Sequence, residues 1–271
     1  MKRIVLYRYY HKFGNNKEQL KFIKYLNPDI DIYGLYGGPE EQFEEATALL
    51  KDELVHNFYI RGKDTDWKWK SSDMTFQLWY NSFGHTVDFD VMHAIEWDLL
   101  YFEPIDTLFA HVGENSVALT ALIPIKKIQD KWYWTKHPPC REEWMQLMEH
   151  FRQIYNYDQE PYGMLGPGES YPRSFLEKIK DTEIPYIAVD ELRIPMYAQV
   201  FGLKMEDTHF FKKWLSKKEF KYFNANAIDV ELKTIEKQLK KKKGRRVFHP
   251  FRGDLTFDQL VNLYNLIPKK R

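Results

Sequence analysis

Apolar positions along this chain switch repeatedly between short continuous runs and helical stripes, the rhythm of an α/β fold. Residues 2–8, KRIVLYR, are rich in β-branched and aromatic side chains, which predicts a buried strand. A polar loop follows, and residues 17–26 carry the spacing of an amphipathic helix. Residues 29–36 predict a second strand that stops at Gly37-Gly38-Pro39. Strand, loop, helix and strand in this order predict a βαβ opening, hence a parallel sheet with a right-handed crossover. Ligands of such sheets bind beyond the carboxyl ends of the strands. Tyr7, Arg8 and Tyr9, with the Tyr36-Gly37-Gly38 turn, fall there.

The pattern repeats with a helix over residues 40–50 and a short strand, HNFYIRG. Residues 73–83 predict a helix capped by Asp73, with Phe76, Trp79 and Tyr80 on one face. The segment FDVMHAIEWDLLYFEPID begins as an apolar strand and is interrupted by Glu96 and Asp98. Strands and loops alternate to about residue 134, and a helix follows over residues 142–155. GMLGPGESYPRSFLEKI reads as a glycine-rich loop feeding a helix, with Pro172 near its first turn. A strand is expected over residues 186–189, and a helix from Asp190 to about Gly202, its regular turns starting at Pro195. A lysine-rich helix, KTIEKQLKKKKGRR, and the segment VFHPFRGD make up the tail. With no repeat, long linker or low-complexity block, residues 1–271 are expected to form one domain.

The chain has 271 residues, 44% hydrophobic and 29% charged, enough apolar material for a core without disulfide or zinc staples. Its aromatic fraction of 17% permits ring stacking on a ligand as well as core packing. A net charge of +1 gives no global field for nucleic acid or anionic membrane. Cys140 stands alone, which excludes an internal disulfide and a cysteine-rich metal site. The first residues are too short an apolar run for a signal peptide and no window approaches a membrane span, so a cytoplasmic location is the expectation.

Chemistry concentrates at Glu96-Trp97-Asp98, at the end of an apolar strand. Carboxylates two apart on an extended chain point the same way, and burying both is costly unless a cation or strong donors compensate. A hard divalent ion such as Mg²⁺ or Mn²⁺ takes oxygen ligands and bridges to phosphates. The plainer alternative is a pair of carboxylates that cap a loop or meet lysines.

With that triplet ending a central strand after about a hundred residues, the order of elements resembles the GT-A glycosyltransferases. The resemblance implies a single Rossmann-like domain with a mixed, mostly parallel central sheet flanked by helices. It also implies that the triplet, usually Asp-x-Asp and here Glu96-Trp97-Asp98, holds Mn²⁺ or Mg²⁺ on a donor diphosphate. Family-2 type members continue with a small-residue loop, an arginine, and an acidic pair opening a helix that ends in glycine. Gly166-Pro167-Gly168, Arg173, Asp190-Glu191 and Gly202 are similar to that series. There the pair is Glu-Asp and its second member is the base on the acceptor hydroxyl. The order is reversed here, so Glu191 and Asp190 are both candidates. A late histidine completes the metal shell in several members, a role that falls to His249, although a lone histidine is more often structural. By the same resemblance Tyr7, Arg8, Tyr9, Gly37, Trp97, Gly168 and Arg252 face the donor, and residues 225–271 form a helical, basic extension folding over the site.

The implied activity is transfer of a sugar from a nucleotide-diphosphate sugar to a saccharide or other hydroxyl acceptor, with inversion. A sugar-phosphate nucleotidyltransferase is the competing enzyme, but YRYYHKFGNN lacks its glycine- and arginine-rich loop. A non-catalytic protein on the same fold is the other alternative. Lys240–Lys243 with Arg245-Arg246 reads first as the solvated end of a surface helix, with membrane contact the lesser reading. DWKWKSSDMTFQLWY reads first as core rings rather than a stacking surface, and no nucleic-acid partner is expected.

Overall fold

The computed structural model describes residues 1–214, 216–226 and 228–269. Nine strands occur among them: β1 (Arg3–Tyr9), β2 (Asp31–Tyr36), β3 (His56–Tyr59), β4 (Val91–Glu96), β5 (Leu100–Tyr101), β6 (Ser116–Pro124), β7 (Tyr162–Pro172), β8 (Lys204–Asp207) and β9 (Val247–Phe248). Seven form one sheet in the order β3-β2-β1-β4-β7-β6-β8, and β5 pairs with β9 in a separate ribbon. β1 with β2, β2 with β3, and β6 with β8 run parallel, whereas β6 and β7 are antiparallel. The fold is therefore α/β with a mixed, mostly parallel sheet.

Two compact units divide the chain. The first comprises Met1–Lys2, Gly62–Met92 and Val112–His209; the second comprises Arg3–Arg61, His93–His111 and Phe210–Arg271.

In the second unit, β1 buries Ile4, Val5, Leu6, Tyr7 and Tyr9, and the helix Phe13–Leu26 supplies Leu20, Phe22, Ile23 and Leu26 to the core. Two polar side chains on that buried face, Asn16 and Gln19, accept from the Tyr7 hydroxyl at 3.1 and 2.8 Å. After β2 the chain turns against β1: the Gly37 amide donates to the Tyr9 carbonyl at 2.8 Å. Gly38 is required there, because a Cβ would lie 2.4 Å from the Tyr10 carbonyl oxygen.

In the first unit, the stretch expected as a glycine-rich loop is the strand β7. Its glycines serve an irregular ladder instead: the pairing with β6 shifts register twice, and Gly168 takes a φ of 86°. Residues 186–189 are not a strand. Ala188 has a φ of 58°, and the Ile187 and Ala188 carbonyls accept from Arg193 rather than from a ladder. The helix Asp190–Val200 starts at Asp190 and carries Pro195 inside it. Ser72–Ser82 is helical with Ser71 as N-cap, so Asp73 is not the cap. Asp73 is fully buried, with its carboxylate on the Arg193 guanidinium at 2.7 Å for both oxygens. The other Arg193 donors reach the carbonyls of Lys70, Ile187 and Ala188, so one cation ties the start of two helices together.

The lysine-rich helix is shorter than its sequence pattern, Leu232–Leu239. Arg246 donates to the Gln238 and Lys241 carbonyls, so the chain turns back before the lysine run can extend the helix.

Candidate functional site

β4 ends at Glu96 and the next residues turn, with the Leu99 amide on the Glu96 carbonyl at 2.9 Å. Glu96 and Asp98 thus converge through a turn, not by strand alternation. Trp97 donates its amide to the Arg8 carbonyl at 3.0 Å, and its buried ring packs edge-on against Tyr10 and His11 at 5.6 and 4.2 Å.

The tail reaches this turn through a ribbon. Leu100 pairs with Phe248 and Tyr101 with Val247, and the pairing is prolonged by Phe102 on Arg246 and Phe251 on Asp98, both at 2.8 Å. The other edge of the same tail segment is held by Tyr222, Asn224 and Val230. His249 donates to the Tyr222 carbonyl at 3.1 Å, Asn224 to His249 at 2.9 Å, and Val230 to Pro250 at 2.8 Å. Held on both edges, the tail delivers His249 and Arg252 to the acidic turn.

The resulting constellation is small and largely buried. Glu96, Asp98 and His249 each offer one ligand atom, all within 4.8 Å of one another. Nε2 of His249 lies 3.3 Å from Asp98 and 3.8 Å from Glu96. Its Nδ1 sits 2.7 Å from the Asn224 carbonyl, which only accepts, so Nδ1 carries a proton and Nε2 is left for the carboxylates or a cation. Arg8 bonds Glu96 at 3.0 Å, while Arg252 lies 3.2 Å from Asp98 and 3.0 Å from Asp229.

Burial by itself would lower the His249 pKa. The hydrogen bond to Asp98 and the charges of Asp98 and Glu96 outweigh it, and the net direction is upward. Asp98 moves the other way: burial pushes its carboxyl up, but His249 and Arg252 hold it below the ordinary value. Two carboxylates and an imidazole with its far nitrogen anchored suit a divalent ion of Mn²⁺ or Mg²⁺ character.

Expected donor residues divide by their surroundings. Tyr7 and Tyr9 are core rings, Tyr7 fully committed to Asn16 and Gln19, so neither side chain offers the surface expected of it. Arg8, Gly37, Trp97 and Arg252 stay half-buried or adjoin the acidic turn. Tyr10, exposed and tilted against His11 at 4.1 Å, was not singled out by the sequence, though it follows β1 directly.

The chain is similar to glycosyltransferases of known structure. Galactosyltransferase LgtC, solved with donor and acceptor sugar analogues, is 11% identical with a TM-score of 0.40, covering 75% of this chain and 72% of its own. The bifunctional glycosyltransferase WbbM is 11% identical with a TM-score of 0.45 over 98% of this chain and 50% of its own. A mannosyltransferase from Pyrobaculum calidifontis, in complex with GDP-Man and Mn²⁺, is 11% identical with a TM-score of 0.43 over 76% and 54%. No family model and no curated protein sequence matches the chain. At these identities and TM-scores the likeness adds nothing to the chemistry, which rests on the residues themselves.

The first unit holds the other candidates. Asp190 is buried and accepts from both the amide (2.7 Å) and the hydroxyl of Ser72, and from the Glu191 amide at 2.8 Å. Glu191 is half-buried. One oxygen accepts from the Trp134 indole and the other from the Gly166 amide, each at 2.9 Å. Gly166 therefore orients Glu191, while Gly168 lies buried in β7 with its φ of 86°. Of the acidic pair, Asp190 holds the helix start and Glu191 is the carboxylate presented outward. Among the described residues, no helix is long and apolar enough to cross a membrane.

Proposed function

We propose that this protein is a metal-dependent GT-A-type glycosyltransferase, built as one catalytic domain whose C-terminal segment completes the site. The observation that carries the reading is the convergence of Glu96, Asp98 and His249 within 4.8 Å, with Nδ1 of His249 committed to Asn224. A divalent Mn²⁺ or Mg²⁺ held there would neutralise the leaving nucleoside diphosphate. Arg8 and Arg252, already at the two carboxylates, add positive charge beside the same phosphates. Glu191, positioned by Trp134 and Gly166, takes the proton from the acceptor hydroxyl as it attacks the anomeric carbon, with inversion. The partners of this reading are a nucleotide-sugar donor and a hydroxyl acceptor.

Glu191→Gln is expected to lower kcat by roughly 10² to 10⁴, the usual contribution of a general base, with the melting temperature nearly unchanged. Asp190→Asn is expected to do the reverse: it loosens the bond to Ser72 and destabilises the fold before it touches chemistry. Transfer assays with melting curves on both variants separate the two roles; equal loss of kcat in the two would overturn the division.

A specific observation favours a second reading, a non-catalytic relative. Arg8 and Arg252 already face the two carboxylates, so the cluster is charge-compensated without an ion. Proton linkage distinguishes the two. The raised His249 pKa stabilises the metal-free fold fully below the unfolded value of about 6.5, and that contribution is lost as pH rises through the folded pKa. Asp98, held low, adds stability above its unfolded value of about 3.9, lost only as pH falls through the lower folded pKa. The metal-free protein is therefore expected to melt lower at pH 8 than at pH 6. An ion must displace the Nε2 proton, so its stabilisation should grow over the same interval. Melting curves at both pH values, with and without Mn²⁺, check this. No effect of Mn²⁺ at either pH selects the non-catalytic reading.

A further inference from the structure

Around Glu191 the first unit leaves a set of large rings in solvent that the proposed chemistry does not use. Trp69 is 60% exposed and Tyr133 is 55% exposed, unusual for side chains of this size. They are not scattered. Trp69 lies 5.7 Å from Trp134 at an interplanar angle of 50°, and Tyr133 lies 5.1 Å from Trp134 at 82°. His137, also exposed, stacks on Tyr133 at 4.8 Å and 20°. Trp134 stands at the centre, and its indole N–H is the group that holds Glu191.

The rings come from separate pieces of chain: Trp69 from the helix Thr65–Lys70, Tyr133 and Trp134 from the turn of helix Tyr133–Lys136. Each segment could bury an aromatic by rotating it inward, yet both present theirs outward. Asp64 caps the first short helix by accepting from the Trp67 amide at 2.7 Å. The outward rings are thus a property of the surface these helices build, not of frayed ends.

We infer that Trp69, Tyr133, Trp134 and His137 form a stacking platform for a saccharide acceptor, one edge of which reaches the Glu191 carboxylate. The choice of occupant follows from the chemistry. A pyranose has a flat face of weakly positive C–H groups that suits the negative face of an aromatic ring, and hydroxyls around its rim. A sugar lying on the Tyr133 or Trp69 face would bring a rim hydroxyl toward the carboxylate that Trp134 positions. An aliphatic lipid or hydrophobic peptide would need a contiguous apolar groove, whereas these rings adjoin Lys70, Lys136 and the His137 imidazole. The proposal rests on Glu191 as the acceptor base for its function, but binding on the platform needs neither donor nor metal.

The test uses the full chain on a glycan microarray carrying microbial and plant oligosaccharides, with hydroxyl-bearing Ser/Thr peptides on the same surface, all in EDTA. The native protein is expected to bind at least one pyranose-containing class. Trp69→Ala and Tyr133→Ala should each weaken that signal tenfold or more, and Tyr133→Phe should retain most of it because the ring face is kept. Ile154→Ala, an exposed apolar change outside the platform, should leave the signal alone. Both alanine variants remove solvent-exposed rings, so their melting curves should match the native protein. Binding to no printed glycan, binding to peptides only, or equal binding by all variants would overturn the platform. If glycans bind through these rings but no nucleotide sugar is ever transferred, the platform stands and the role of Glu191 falls.

Discussion

Asp98→Asn is expected to lower kcat/KM for transfer from the cognate nucleotide sugar roughly a thousandfold, about 4 kcal/mol of transition-state stabilisation. The asparagine is close in shape but supplies no negative charge to a cation and one oxygen instead of two. It also loosens two partners at once, because His249 and Arg252 both meet this carboxylate, while the Phe251 amide keeps its bond to the main-chain carbonyl. The loss should be in kcat as well as in affinity, since a cation held by Asp98 would supply charge against the leaving diphosphate. Steady-state kinetics over a range of Mn²⁺ concentrations separate the two. If excess Mn²⁺ restores full kcat, Asp98 only holds the ion; a lasting deficit at saturation assigns it to the reacting geometry. A variant as active as the native protein at low Mn²⁺ would remove the carboxylate from the site altogether.

The second large effect is on stability. Arg193→Met is expected to cost roughly 3–5 kcal/mol, the range for breaking a buried ion pair from one side. Asp73 would be left as an uncompensated buried charge, and the carbonyls of Lys70, Ile187 and Ala188 would lose their donor. For a chain of this size that corresponds to a melting temperature lower by about 10 °C. The double variant Asp73→Leu/Arg193→Met should recover a large part of the loss, because removing both charges also removes their desolvation cost. Urea unfolding of the single and double variants measures this directly. Additive losses in the double variant would mean the pair contributes no mutual attraction.

These two sites differ in how far the sequence revealed them. β1, β2 and the acidic end of β4 were legible because a buried strand leaves a continuous apolar run and carboxylates at its end stand out against it, but the triplet read as extended chain where it is a turn. The parallel opening followed from the order of elements, and the mixed sheet was implied by the resemblance. What the pattern hid was long-range pairing. β5 and β9 are two residues each, too short to carry a period, yet their register is what brings His249 to Asp98. Asn224, which fixes the His249 tautomer, lies in a segment with no strand or helix signal at all. The Asp73–Arg193 pair was invisible for a similar reason: Asp73 reads locally as a helix cap and Arg193 does not stand out, and only the fold buries them against each other. β7 read as a loop because Gly166-Pro167-Gly168 has turn composition, while its conformational freedom is used for bulges inside the sheet. Trp69 read as core, since helical spacing records which residues share a face and not whether that face is covered, and Tyr133 and Trp134 did not stand out in the sequence.

Of the acidic pair, the sequence left Glu191 and Asp190 equal, and the hydrogen bonds separate them. Asp190 spends its oxygens on Ser72 and on the Glu191 amide, whereas Glu191, half-buried in the same first turn, is held by the Trp134 and Gly166 N–H groups. Short acidic motifs seldom distinguish a carboxylate that shapes backbone from one that works, because both occupy the first turn for the same electrostatic reason.

The most direct measurement of the central claim is a thermal-shift titration of the native protein and Asp98→Asn with UDP-, GDP-, CMP- and dTDP-sugars, each with and without Mn²⁺. One nucleotide class should raise the native melting temperature in a concentration-dependent way, only with Mn²⁺, and Asp98→Asn should lose the response. A native protein that shifts with none of these donors at millimolar concentration, or shifts equally without the ion and in the variant, contradicts that claim.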